Sequence, residues 1–150
     1  MKSTVNKIKP FVRHDRNVYE MICQSNQKEI SHIEEFLRQI SMQLHIDDGM
    51  MHRLLVSCTE AVNNAIVHGN KSDPYKKVII RCVVKKKTLT ICVKDEGNGF
   101  DPESLQDPRD EKNLLKESGR GVFLMRSLMD KVVFKRLKSG SVVEMKVKLH

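Results

Sequence analysis

The sequence predicts an α+β fold, a two-layer sandwich in which a mixed, mostly antiparallel sheet is covered on one face by three helices. Apolar residues recur every three or four positions in some segments and every second position in others, which predicts both helices and strands. A chain of 150 residues with 39% hydrophobic content can form one sizeable core but is too short for two ordinary domains. We therefore expect a single domain over residues 1–150.

The first part of the chain predicts a lead-in, one strand and one helix. Residues 1–17 form a polar lead-in that is expected to fray, and residues 18–23 are predicted to form the first strand. An amphipathic helix is predicted for residues 28–44, because apolar side chains follow three- and four-residue steps. These side chains are Ile30, Ile33, Leu37, Ile40 and Leu44.

A second helix is predicted for residues 49–68. Asp47 and Asp48 precede it as candidate caps of its N-terminus. Gly69 and Asn70 follow it and tolerate the left-handed conformation in which many helices end. One stripe of this helix is apolar and comprises Met51, Leu54, Leu55, Cys58, Val62, Ala65 and Ile66.

The second half of the chain predicts two hairpins. Apolar residues alternate with others over residues 78–84 and 89–93, which are joined by a Lys86-Lys87 turn. Residues 132–137 and 142–149 form the second predicted hairpin, with every second residue of its last strand on the core face.

A loop and a third helix connect the two hairpins. From residue 97 to residue 118 the apolar periodicity gives way to glycine, proline and mixed charge, and a loop of about 20 residues is uncommon in a compact domain unless it is a lid or binding loop. We expect the lid at residues 102–118. The third helix is predicted to begin just after Gly119 and Gly121.

Composition limits the class of protein without deciding its function. The formal net charge of +8 attracts nucleic acids, anionic membranes, phosphorylated ligands and acidic proteins alike. The basic residues concentrate at 76–81, 85–87 and 135–138, where solvated faces are the simpler explanation. The four cysteines are far apart and lack zinc-site spacing, and the sequence has neither a signal peptide nor a long apolar run. We expect a cytoplasmic protein with buried, reduced thiols.

The polar face of the second helix is the first candidate site. Glu60 and Asn64 lie one helical turn apart, opposite the apolar stripe, with His68 at the edge of the same sector. Residues 54–70 contain no lysine or arginine, although the chain has 27. A carboxylate and an amide oxygen without neighbouring ammonium groups suit a hydrated divalent cation. An ordinary solvated helix face remains the alternative.

Two glycine-rich junctions are the other candidates. Asp95 ends a strand and is followed by Gly97 and Gly99. An aspartate in this position can accept a hydrogen bond from an exocyclic amine. The glycines allow the backbone to approach a flat ring closely. The alternative is a tight Asn98-Gly99 turn. Ser118-Gly119-Arg120-Gly121 opens the third helix, where backbone N–H groups suit phosphate oxygens. The alternative is that these glycines only cap the helix, which would give the same sequence pattern.

Three segments of the chain, taken in order, resemble the ATP-site motifs of the GHKL ATPases. They are E-A-V-N-N-A-I-V-H-G-N, D-E-G-N-G-F and S-G-R-G-V-F-L-M. The short chain and the ending G-R-G-V-F-L-M-R-S-L-M-D are similar to the small anti-sigma factor serine/threonine kinases of that group. The resemblance covers roughly residues 18–149. It implies a histidine-kinase-like ATPase fold with ATP and magnesium as cofactors.

The resemblance also implies roles for individual residues. Glu60 would be the general base, Asn64 would ligate magnesium, and Asp95 would bind the adenine amino group. The nucleotide-binding set would comprise Asn64, His68, Asp95, Gly97, Gly99, Lys116, Gly119, Arg120, Gly121 and Val122. Members of the family often carry a basic residue shortly before the phosphate-binding glycines. Here Lys116 precedes the glycines and Arg120 lies between them, so the choice of residue that contacts the γ-phosphate stays open.

The resemblance implies protein partners. The expected substrate is a serine or threonine of a STAS-domain antagonist. A sigma factor or another regulator would be the second partner. The expected form is a homodimer that binds neither DNA nor membranes directly. Two alternatives remain. One is a nucleotide-dependent module that sequesters a partner without phosphoryl transfer. The other is a nucleic-acid-binding domain, which lacks the expected aromatic residues and signatures.

Overall fold

Six strands form one antiparallel sheet in the computed structural model, which describes residues 11–15, 17–97 and 117–150. The strands lie in the order β1-β2-β3-β4-β6-β5, and each neighbouring pair is antiparallel. Their bounds are β1 Phe11–Asp15, β2 Val18–Gln24, β3 Lys77–Lys85, β4 Thr88–Asp95, β5 Lys131–Leu137 and β6 Gly140–Lys148. The α+β prediction is confirmed, with antiparallel pairing throughout the described strands.

Three helices cover one face of this sheet. They are α1 Ile30–Leu44, which follows a short 3₁₀ turn at Gln27–Glu29, α2 Asp48–Asn64 and α3 Glu117–Leu128. Helix α2 lies between the other two and packs against both. On the strands, buried and accessible residues alternate, as expected when helices cover one side only. None of the helices in the described residues is long and apolar enough to cross a bilayer.

The core lies between the helices and the sheet. The apolar stripes predicted for α1 and α2 both enter it, and Met50, Ser57 and Ala61 complete the buried face of α2. Asp47 caps α2, because its Oδ1 accepts a hydrogen bond from the Met50 amide at 2.8 Å. The four cysteines are free thiols, and burial raises the pKa of both Cys23 and Cys58 to about 12.

The predicted lead-in is not frayed over its whole length. Residues 11–15 form β1, which pairs with β2. The pairing satisfies backbone groups along β2 that would otherwise face solvent at a sheet edge.

The end of α2 also differs from the prediction. The helix continues as a π-helical turn, Ala65–Gly69, and Asn70 keeps a right-handed conformation with φ of −86°. Its amide instead donates to the Ala65 carbonyl at 2.8 Å. The left-handed residues are the next two, Lys71 and Ser72, with φ of 52° and 58°.

The third helix begins earlier than predicted. It starts at Glu117, so Gly119 and Gly121 lie inside it and not before it. The last two positions of the predicted lid, residues 117 and 118, are therefore helical, whereas residues 102–116 lie outside the described part of the chain. Packing of α3 against α2 explains how glycines, which are weak helix formers, are held in a helix here.

The β5–β6 hairpin is tied to the end of β4 at Gly140. This residue has a φ of +110°, and a Cβ atom there would overlap the Asp95 carbonyl oxygen. Both the conformation and the contact exclude a side chain.

We expect Gly140→Ala to lower the free energy of unfolding by about 2 kcal/mol or more, since strain and overlap act together. Gly49→Ala is the matched control, because a Cβ there would lie 3.4 Å from Asp47 Oδ1 at an unstrained helical position. Urea unfolding should show the control within about 1 kcal/mol of the unaltered chain or more stable. Equal losses for the two variants would contradict the explanation.

Candidate functional site

Asp95 is a buried carboxylate at the end of β4, with 5% of its surface exposed. Its Oδ1 accepts hydrogen bonds from the amides of Gly97 and Ser141 at 3.0 and 3.2 Å, and its Oδ2 accepts one from Ser141 Oγ at 2.9 Å. A carboxylate has about four lone-pair sites, so it can accept a further donor while staying fixed in this network. The sequence does not predict Ser141, because its relation to Asp95 depends on the pairing of β4 with β6.

Asn70 joins the end of α2 to three strands. Its Nδ2 donates to Ser25 Oγ at 2.6 Å and to the Lys77 carbonyl at 2.9 Å, and its Oδ1 accepts from the Glu96 amide at 2.8 Å. The side chain is buried, and these partners belong to the chain just after β2, at the start of β3 and just after β4. Asn70 therefore sets the position of the Asp95–Gly97 turn relative to α2.

The backbone of this turn contacts the end of α2 directly. A Cβ atom on Gly97 would overlap the Gly69 carbonyl oxygen, and a Cβ atom on Gly69 would overlap the Asp95 carboxylate. The sequence predicts Gly97 as a residue that admits a ligand ring. In the structure, the absence of a side chain on Gly97 makes room for the backbone of Gly69 instead.

The first and third predicted motifs also meet. A Cβ atom on Gly121 of α3 would lie 2.8 Å from Glu60 Oε1 and 3.4 Å from Asn64 Nδ2 of α2. Gly121 thus lies against both polar side chains, which share one face of α2 as the helical spacing predicts.

A pocket connects this face of α2 with the end of β4. Its free space amounts to about 310 Å³ when the part that is open to solvent is counted. Its walls come from α2 and the adjoining turn, β4, β5 and β6; they are Ala61, Asn64, Ala65, Val93, Asp95, Phe134, Ser141, Val142 and Val143. The pocket therefore unites Asn64 and Asp95, two residues 31 positions apart in the sequence.

The aromatic wall of the pocket is a feature that the sequence does not predict. Phe134 of β5 lines the cavity beside Asp95 and Ser141, and the Arg126 guanidinium carbon lies 5.7 Å from the centre of its ring. Phe134 thus contributes aromatic carbon to a pocket that also contains a hydrogen-bond acceptor, Asp95. This combination suits a heteroaromatic ring with an exocyclic donor.

Of the predicted site residues that the structure describes, those other than Asn64 and Asp95 do not line the pocket. His68 is half-buried in the π-helical turn, Arg120 is exposed on α3, and the Val122 side chain belongs to the core. Gly119 lies one turn before Phe123 on α3, and Glu60 does not line the pocket itself. Gly99 and Lys116 lie outside the described residues.

The donor set determines which metal would fit. Asn64 Nδ2 is buried without a hydrogen-bond partner among the described residues, and a half-turn of the amide would put its oxygen in the same place. No group of three or more His, Cys, Asp or Glu side chains converges within residues 11–15, 17–97 and 117–150. Magnesium fits this sparse set, because it usually keeps waters and substrate oxygens and takes only one or two protein ligands.

Comparison with known protein families gives a match over most of the chain. Residues 23–147 match the family described as "Histidine kinase-like ATPase domain". This agrees with the resemblance carried by the three motifs.

Individual relatives are similar over shorter stretches. The anti-sigma F factor of Anoxybacillus flavithermus is 33% identical over 90 residues, covering 58% of this chain and 62% of the relative. The serine-protein kinase RsbW of Bacillus licheniformis is 35% identical over 98 residues, covering 61% of each chain. The matches thus span about three fifths of these two relatives' length.

Solved structures share the fold. The RsbU and RsbW domains of a Mycobacterium tuberculosis protein superpose with a TM-score of 0.63 at 13% identity, over 87% of this chain and 32% of that one. A blue-light-activated histidine kinase of Erythrobacter litoralis gives a TM-score of 0.55 at 21% identity, over 69% of this chain and 32% of the other.

We expect Ser141→Ala to reduce the free energy of unfolding by about 1–3 kcal/mol, because it removes a buried hydroxyl that donates to a carboxylate. Ser141→Thr keeps the hydroxyl and should lower the free energy of unfolding by less than Ser141→Ala. Urea unfolding of both variants tests this. An alanine variant that matches the unaltered chain in stability would show that the Gly97 and Ser141 amides hold Asp95 without the hydroxyl.

Proposed function

The chain belongs to the histidine kinase-like ATPase domain family, and from this premise we propose that it is an ATP-dependent serine/threonine protein kinase acting in a partner-switching pathway. The observation that carries the proposal is the pocket that unites Asn64 of α2 with Asp95 of β4. The relatives named anti-sigma F factor and serine-protein kinase RsbW support the same activity.

We assign the adenine to the end of the pocket at Asp95. There the exocyclic amine would donate to the carboxylate, whose position is fixed by three protein donors. The Phe134 ring and the aliphatic side chains of β4 and β6 supply the apolar walls for the base. The pocket thus separates a polar recognition edge from an apolar surface, as specific binding of a purine requires.

We assign the phosphates to the opposite end, at Asn64 and α3. The Asn64 amide oxygen would hold magnesium, which when bound neutralises phosphate charge. The backbone of Gly119 and Gly121 and the exposed Arg120 side chain would contact phosphate oxygens. His68, Gly97, Gly99, Lys116 and Val122 complete the proposed nucleotide-binding set.

Glu60 is the proposed general base. It would accept the proton of a serine or threonine hydroxyl while that oxygen bonds to the γ-phosphorus and the bond to the bridging oxygen of ADP breaks. In the structure, the gap between Gly121 and the Glu60 carboxylate is too small for even a Cβ atom on Gly121 to fit without a shift. Access of the γ-phosphate to this carboxylate would therefore require the Glu60 side chain or the first turns of α3 to move.

The same contact favours a second candidate function. If α3 stays against Glu60, the chain binds nucleotide without transferring phosphate and acts as a nucleotide-dependent module that sequesters a partner. The two candidates share Asp95 and Asn64 and differ in the role of Glu60.

The partners follow from the proposed activity. We propose a STAS-domain antagonist as phosphoryl acceptor and a homodimer as the active form, with a sigma factor or another regulator as the second partner. The four free thiols are consistent with the reducing cytoplasm as its location.

The nucleotide site is tested by thermal-shift and calorimetric titration with ATP, with and without magnesium. We expect Asp95→Asn to weaken ATP binding about tenfold or more. The substitution replaces one carboxylate oxygen, which accepts a hydrogen bond from the adenine amine, by an amide nitrogen that cannot accept one. The unliganded variant should remain folded, since the amide oxygen can still accept from Gly97 and Ser141. Binding of GTP serves as the control. Unchanged ATP affinity in a folded variant would place the adenine elsewhere.

Phosphoryl transfer is tested with labelled ATP, magnesium and purified STAS-domain proteins from the same genome. We expect Glu60→Gln to retain ATP binding and to lower transfer by about a hundredfold or more, because the amide cannot accept the proton. Glu96→Gln is the matched control at a carboxylate outside the pocket. Equal transfer by the unaltered chain and Glu60→Gln would refute the base, and ATP binding without transfer to any of these proteins would support the binding module.

A further inference from the structure

The side of the sheet that the helices leave uncovered is strongly basic. We call this surface the open face and define it by the outward side chains of β2 to β6. The basic residues on it are Lys77, Arg81, Lys85, Lys94, Lys131, Lys135, Lys146 and Lys148, and the acidic ones are Glu20 and Glu144. Basic residues exceed acidic ones by six on this surface alone, which accounts for most of the chain's net charge of +8.

The helical layer has the opposite sign. Residues 27–64, which include α1 and α2, contain three lysines or arginines and six aspartates or glutamates, and α3 adds two arginines and one glutamate. The helical layer therefore holds five basic and seven acidic residues. The molecule is therefore polarised across its two layers. The basic segments that are scattered along the sequence meet on one surface because alternate residues of each strand point the same way.

Strand pairing brings the charges of the open face close together. Neighbouring strands lie about 4.8 Å apart, which is less than the Debye length of about 8 Å at physiological ionic strength. Potentials of adjacent lysines therefore add. Glu144 offsets part of this charge near the centre of the face, where its carboxylate lies 3.8 Å from Lys135 Nζ and 3.9 Å from Lys146 Nζ.

Aliphatic side chains lie between the lysines. One row across the sheet runs from Ile22 through Ile79, Lys94 and Val142 to Lys135. Ile22 is 44% exposed, and Ile79 and Val142 are partly exposed. The open face therefore offers apolar contacts as well as positive charge.

These features favour a protein over other polyanions. Nucleic-acid interfaces rely on arginine forks and stacking aromatic rings, whereas the described open face has a single arginine and no aromatic side chain. A second copy of the chain would bring two positive faces together, which like-charge repulsion opposes. The face also lacks the continuous apolar surface with Trp, Phe or Leu that membrane-surface elements insert, since lysines interrupt its isoleucines and valines.

We propose that the open face docks a partner protein through an acidic surface whose carboxylates alternate with aliphatic side chains. Charge complementarity would speed encounter and set the orientation, and the aliphatic row would supply apolar burial. Of the residues named for the open face, only Val142 also lines the nucleotide pocket. The proposal therefore does not depend on nucleotide binding or phosphoryl transfer.

The probes are two synthetic peptides of equal length and charge in which glutamate alternates with either leucine or serine. We expect the leucine peptide to bind more tightly, with an affinity that falls as salt increases. Lys131→Glu/Lys148→Glu should weaken its binding about tenfold or more. Lys28→Glu/Arg38→Glu makes the same change in net charge on the helical layer and should leave binding within about twofold. Thermal unfolding checks that each variant is folded.

Ile22→Ser tests the apolar contribution without changing the charge. It should remove the preference for leucine over serine peptide. Equal weakening by the two double variants, or no preference between the peptides, would overturn the proposal. So would a DNA duplex that binds more tightly than the leucine peptide, Ile22-dependent binding to phosphatidylserine vesicles, or a dimer in sedimentation that Ile22→Ser dissociates.

Discussion

The contact between the end of α2 and the end of β4 is the constraint on which the candidate site depends. Gly69 and Gly97 allow the two backbones to touch, and Asn70 fixes their relative position by hydrogen bonds to three segments. If this junction opened, Asn64 and Asp95 would no longer face one cavity. The site is therefore a property of how a helix end meets a strand end, and neither element contains it alone.

The two-layer architecture separates two kinds of recognition. Between the layers lies a small pocket with a buried carboxylate and an aromatic wall, which suits one flat ligand. On the uncovered side of the sheet lies a broad basic surface with aliphatic residues, which suits a macromolecule. The strand period of two produces both surfaces, because successive residues of a strand such as β4 point alternately into the pocket layer and out to the open face.

Local periodicity predicts most of the elements. The predicted helix at residues 28–44 and the two hairpins agree with α1 and with β3 to β6 within a few residues. The predictions fail where long-range pairing decides the local structure. Strand β1 is held by hydrogen bonds to β2, and the start of α3 is held by packing of Gly121 against α2. Neither partner can be read from the segment itself.

The amino-acid sequence by itself determined the class of fold and most of the helices and hairpins, since these follow from short-range periodicity, and it marked Glu60, Asn64 and Asp95 as candidate site residues. Only the tertiary structure decided that Ser141 holds Asp95, 46 positions away, and that scattered lysines share one face. The physical reason is that hydrogen bonds and charge act over distances in space, and strand pairing converts large separations along the chain into contacts of a few ångströms.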